Sequence, residues 1–140
     1  MLKIIDGPID VAAVRRAVDD PATGAVLIFE GVGRQDFDGR LVVHLAYEAY
    51  PQMAEAVLGE IASEMAARWD GCRVAIVHRT GVVAIGEPSV VIAVATPHRA
   101  ECYEASRYAI DQLKERVPVW KKEVYEDGSA WKANVSGGHR

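Results

Sequence analysis

The chain has 140 residues, 50% of them hydrophobic and 26% charged, with a formal net charge of -4. That length suits one domain burying about 68% of its unfolded surface, and the composition is ordinary for a soluble globular protein. A net-acidic balance argues against a general nucleic-acid binder, which needs a broad basic surface, and leaves room for a focused cationic pocket.

No apolar run approaches the roughly 18 residues that cross a bilayer. The start, Met1-Leu2-Lys3-Ile4-Ile5-Asp6, meets charge and then Gly7-Pro8 too early for a signal peptide. Cys72 and Cys102 make neither a disulfide framework nor a Cys-x-x-Cys metal pair. The chain is therefore expected in the cytosol, with neither a metal nor a cofactor.

In chain order, Leu2 to Ile5 reads as a short strand, and Asp10 caps a helix over Val11 to Val18 that stops at Asp19-Asp20-Pro21. Gly24 to Val32, apolar and rich in branched residues, reads as a buried strand. Gly31 to Arg40 reads as a mobile, glycine-bounded loop, and Leu41 to Tyr47 as a returning strand. Pro51 opens a helix that reaches about Trp69, with Met53, Ala56, Val57, Ile61, Met65 and Trp69 spaced as its core face. Arg73 to His78 and Ser89 to Ala95 are expected strands, turned by Gly86-Glu87-Pro88. Thr96 is expected to cap a helix with Pro97 at its first position, unbroken until Pro118. Val119 to Tyr125 and Ala130 to Val135 are expected to form a hairpin about Glu126-Asp127-Gly128-Ser129. Paired strands with helices between them indicate an α+β domain over residues 1–135, with packed helices and an antiparallel sheet. Residues 136–140 are expected to be a flexible tail.

The cations are the notable side chains. His98 and Arg99 sit where a helix N-terminus favours an anion, although from spacing alone an exposed arginine and a locally packed histidine explain them better. Lys114 and Arg116 lie in the last turn of the same helix, where cations are stabilising in their own right. Beyond Pro118 an extended chain points Lys121 and Lys122 to opposite faces, so only one can share a pocket with Lys114. Arg34 lies in the glycine-containing loop, either over a pocket or simply exposed. His98 and Cys102 have i,i+4 spacing, but two ligands do not make a metal site. His78 and Arg79, at an expected strand end, read as structural.

Several blocks then combine: Phe29-Glu30-Gly31-Val32-Gly33-Arg34, Leu45 to Ala54, Val77-His78-Arg79-Thr80-Gly81, Pro97-His98-Arg99, and Leu113-Lys114 to Glu123. In this order, over about Ile4 to Asn134, they resemble the large (catalytic) subunit of molybdopterin synthase. The resemblance implies an α/β-hammerhead fold and a homodimeric core of a heterotetramer. A small ubiquitin-like sulfur-carrier subunit would dock at each end, its C-terminal Gly-Gly thiocarboxylate delivering sulfur to cyclic pyranopterin monophosphate. It further implies Lys114 and Lys121 as catalytic residues, Arg34, His98 and Arg99 as substrate-binding, and Phe29 as pocket lining. The alternative class is a docking module that binds the ubiquitin-like tail without sulfur transfer.

An unbroken helix from Arg99 to Lys114 would separate them by roughly 22 Å, too far for one small pterin phosphate. The expectation is a site shared across the dimer, His98 and Arg99 from one subunit facing Lys114 and Lys121 from the other. Gly33 stands where the family has a bulkier residue, which implies a looser Arg34 loop. The segment between Lys132 and His139 holds no arginine to reach a neighbouring site.

Overall fold

The computed structural model describes residues 1–37, 39–128 and 130–134; Val135 and the expected tail 136–140 lie outside the described residues. The elements run β1 (Leu2–Asp6), α1 (Val11–Arg16), β2 (Ala25–Val32), β3 (Asp36–Phe37), β4 (Arg40–Ala49), α2 (Pro51–Arg68), β5 (Arg73–Ala84), β6 (Pro88–Thr96), α3 (Arg99–Arg116), β7 (Val119–Tyr125) and β8 (Ala130–Asn134). The strands join in one sheet, ordered β2-β6-β5-β4-β7-β8, with β1 beside β5 and β3 beside β4. The α+β reading holds. One pair, β1 with β5, is parallel; the rest are antiparallel.

Strands β5 and β6 send alternate residues into two cores. Ile76, Val90, Ile92 and Val94 face the larger core, closed by α2 and α3, while Ala75, Val77, Val91, Ala93 and Ala95 face a smaller one closed by Val14 and Val18. A strand buried on both faces is written as a continuous apolar run, as Val90 to Ala95 is. Asp10 caps α1 as expected, the Ala13 N–H donating to Asp10 Oδ1 at 3.1 Å.

Four expectations are corrected. On α2, Ile61 and Met65 are buried and Val57 and Trp69 pack against the core as expected, but Ala54 and Leu58 complete the face. Met53, 61% exposed, and Ala56 point outward. Either Met53 or Ala54 satisfies helical spacing, and only packing against the sheet selects between them. Second, Thr96 belongs to β6 and does not cap α3: its hydroxyl donates to the His98 carbonyl at 2.6 Å, and His98 is the N-cap residue. Pro97 therefore precedes the helix. Third, the segment after β2 is partly ordered by β3, whose Asp36 pairs with Leu41.

Fourth, β5 does not end near His78 but continues to Ala84. Gly81, at φ 89°, is a bend rather than a turn. Before it Thr80 pairs with Asp6 of β1, and at it the strand crosses to Tyr47 of β4. Glycine adopts that left-handed conformation without strain, and a Cβ there would press on Asp6 Oδ1 at 3.0 Å. One glycine thus lets a single strand serve two neighbours; His78, before the bend, pairs with Ile4 of β1 and Val90 of β6.

Candidate active site

A cavity of about 210 Å³ opens where the last turns of α3 cross the sheet. Register builds its wall. Tyr47 of β4 lies opposite Lys121 of β7, and Leu45 opposite Glu123, so these four side chains share one face. His78 of β5 lies opposite Val90 of β6, which in turn pairs with Gly31 of β2. From α3, Ile110, Leu113 and Lys114 project together at i, i+3 and i+4. Phe29 and Arg34 close the remaining side. Gly33 is buried beneath Arg34, where a Cβ would overlap the end of the Leu45 side chain.

The cavity therefore collects Phe29, Arg34, Lys114 and Lys121 in one place. Of the two lysines after Pro118, Lys121 turns in and Lys122 is exposed. His98 and Arg99 do not line it; both are exposed at the far end of α3. Arg116 has a structural role, donating to Glu64 of α2 at 2.7 and 3.0 Å. That pairing, with the Tyr108 hydroxyl at 2.5 Å, holds the Glu64 carboxyl down at about 2.

Three further wall residues were not legible as site residues. Glu123 is 4% exposed, and among the described residues its Oε1 has no hydrogen-bond partner. Lys121 Nζ approaches that oxygen at 3.8 Å, a charge contact too long for a hydrogen bond. The Tyr47 hydroxyl bonds to Ser89, which donates to the Gly31 carbonyl at 3.2 Å. Burial, with a smaller push from Glu123, raises the Tyr47 phenol above its ordinary value despite the Ser89 bond. His78, read as structural from the sequence, is 2% exposed and stands in the cavity wall, edge-on to Tyr47 with ring centroids 5.2 Å apart. The available signal was alternation along β5, since Val77 faces the other core and His78 must face this one.

Electrostatics follow from this packing. Burial lowers the Lys121 amine, Glu123 partly restores it, and the charges of Lys114 and Arg34 lower it again. A lysine weakened this way is better suited to proton transfer than an exposed one. His78 is held at about 4 against an ordinary 6.5, chiefly by burial; a hydrogen bond to the Arg79 carbonyl partly offsets this and the Lys114 charge adds to it.

The His78 shift has a measurable consequence. Below pH 6.5 the unfolded chain takes up a proton that the folded ring refuses until about pH 4. The stability contributed by the neutral ring is complete above that window and lost on descending through it, by roughly 3 kcal/mol. Urea unfolding of the wild type is expected to show this slope, and His78→Gln to lack it. Glu64 titrates below the His78 window, so the two are separable. Equal slopes in both proteins between about pH 6.5 and pH 4.5 would contradict the assignment.

The model of the MoaE protein family matches residues 4–116. The chain belongs to that family. Among its relatives, the molybdopterin synthase catalytic subunit of Halalkalibacterium halodurans is 50% identical over 128 residues, covering 91% of this chain and 82% of that one. The subunit of the same name from Taeniopygia guttata is 46% identical, covering 95% and 86%. The crystal structure of molybdopterin synthase from Staphylococcus aureus superposes with a TM-score of 0.90 at 40% identity, over 94% of this chain and 95% of that one. These matches agree with the fold and family that the sequence blocks resembled. Among the described residues no helix is long and apolar enough to cross a membrane.

Proposed function

We propose that the protein is the catalytic subunit of molybdopterin synthase. It converts cyclic pyranopterin monophosphate to molybdopterin with sulfur from the C-terminal thiocarboxylate of a small ubiquitin-like partner. The observation that carries this reading is the convergence of Arg34, Lys114 and Lys121, from three separate elements, on one cavity beside Phe29. Among the described residues no cysteine lines that cavity, and none is needed when sulfur arrives on the partner.

Replacing oxygen by sulfur requires a polarised carbonyl, a proton for the departing oxygen, and compensation of phosphate charge. Lys114, on the open side of the cavity, serves as the amine nucleophile or general acid–base. Lys121, half-buried against Glu123, orients the thiocarboxylate and supplies positive charge or a proton as negative charge develops. Arg34 holds the phosphate. A docking module would not require two lysines converging on one cavity, one of them weakened by burial.

His98 and Arg99 enter through a second copy of the chain. They lie one helix length from their own Lys114, so the homodimer would bring them to the partner subunit's cavity, where their charges bind substrate. One ubiquitin-like subunit at each end completes a heterotetramer. The cytoplasm is the assigned compartment, in keeping with two free thiols at Cys72 and Cys102.

The reading is tested by complementation. Expressed in cells deleted for their own catalytic subunit, the wild type is expected to restore molybdenum-cofactor-dependent enzyme activity. Soluble expression alongside a thiocarboxylated partner, with no activity restored, would overturn it.

A further inference from the structure

His78, like Tyr47, is a buried titratable group of the cavity wall that this mechanism leaves unused. Its Nδ1 lies 2.9 Å from the Arg79 carbonyl oxygen. A carbonyl only accepts, so Nδ1 carries the proton and Nε2 carries the lone pair. The tether is itself fixed: Arg79 Nη2 donates to the Val82 carbonyl at 2.9 Å, and Nη1 lies 3.6 Å from Glu87 Oε2. Tyr47 packs edge-on against the ring and prevents it from turning. Among the described residues no hydrogen bond reaches Nε2, and the ring lines the cavity.

Once a ligand covers this wall, an acceptor left without a donor is costly. We infer that His78 Nε2 is a recognition acceptor for a ring N–H of the substrate's fused heterocycle, seated with its phosphate toward Arg34. This inference rests on the proposed function and adds a specificity residue to it. The chemistry is selective. The open side of the cavity is cationic, so it takes the anionic end of the ligand, while the wall at His78 asks for a neutral donor. A reduced pterin that carries a phosphate offers both. The ring stays neutral at physiological pH, because its burial holds protonation down to about 4, so the lone pair remains available.

The test has a wild-type arm and a variant arm. In wild-type protein labelled with nitrogen-15 at histidine, the Nε2 resonance is expected to shift when cyclic pyranopterin monophosphate is added. It should not shift on adding the partner with an ordinary carboxylate terminus. In the variant arm, His78→Phe keeps a ring against Tyr47 but has no acceptor, and His78→Gln supplies one. Substrate affinity by calorimetry is expected to fall about tenfold in His78→Phe and to recover in His78→Gln, with partner affinity unchanged in both.

An unmoved Nε2 signal in wild-type protein that binds substrate would overturn the inference alone. A signal moved by the partner instead would assign the acceptor to a peptide N–H of its tail, which also overturns it. Wild-type protein that binds no substrate would remove the proposed function first, and this inference with it.

Discussion

Lys114→Ala is expected to lower single-turnover formation of molybdopterin by about 10²- to 10⁴-fold, the range for loss of a positioned acid–base group. The fold should hardly notice. Lys114 is exposed in the last turns of α3, while its neighbour Leu113, 1% exposed, carries the packing. Affinity for the ubiquitin-like partner should also stay close to wild type, because a docked tail is held over its length and not by one amine. Stopped-flow or quenched product analysis gives the rate, and calorimetry gives the affinity. Equal loss of both would move Lys114 from chemistry to docking. Lys121→Ala should differ in kind. That lysine is 22% exposed and 3.8 Å from Glu123, so its removal also strands a buried carboxylate and costs stability as well as rate.

The second large effect concerns the shared site. If His98 and Arg99 act on the partner subunit's cavity, Arg99→Ala and Lys114→Ala homodimers are both inactive, for different reasons. Mixed dimers are not. One of their two sites combines both lesions, and the other combines an intact Arg99 with an intact Lys114. Co-refolding equal amounts should therefore restore about a quarter of wild-type activity, since half the dimers are mixed and each has one working site. Activity in the mixture no higher than in either parent would refute the shared site and confine catalysis to one subunit. The structure makes the experiment informative, because α3 runs unbroken from Arg99 to Arg116 and keeps the two groups apart within a chain.

Much of this architecture could be read from local signals. Continuous apolar runs marked β5 and β6, Pro51 marked the start of α2, and Asp10 its cap on α1. Alternation after Pro118 separated Lys121 from Lys122. What escaped reading depends on long-range register. His78 joins the site because β5 sets it opposite Val90 of β6, and Glu123 joins because Leu45 pairs with it across β4 and β7. Neither pairing leaves a trace within a short window of sequence. The first turns of α2 were misread for a related reason: Met53 and Ala54 both fit a helical period that continues to Ile61 and Met65, and the sheet chooses. Thr96 failed because a threonine ending a strand and one capping a helix look alike until the backbone is seen.

Gly33 shows how a departure in sequence can be reread. Its small side chain suggested a loose Arg34 loop, yet it is buried against Leu45. At that point the chain lies too close to β4 for a Cβ unless Leu45 moves. Arg34 is thereby launched from a packed position over the cavity.

The most direct measurement is single-turnover conversion of cyclic pyranopterin monophosphate by the purified protein, mixed anaerobically with a ubiquitin-like partner carrying a C-terminal thiocarboxylate. Molybdopterin is the expected product, formed with the thiocarboxylated partner and absent with its carboxylate form. A stable complex of the two proteins that yields no molybdopterin would contradict the catalytic reading and leave a docking subunit in its place.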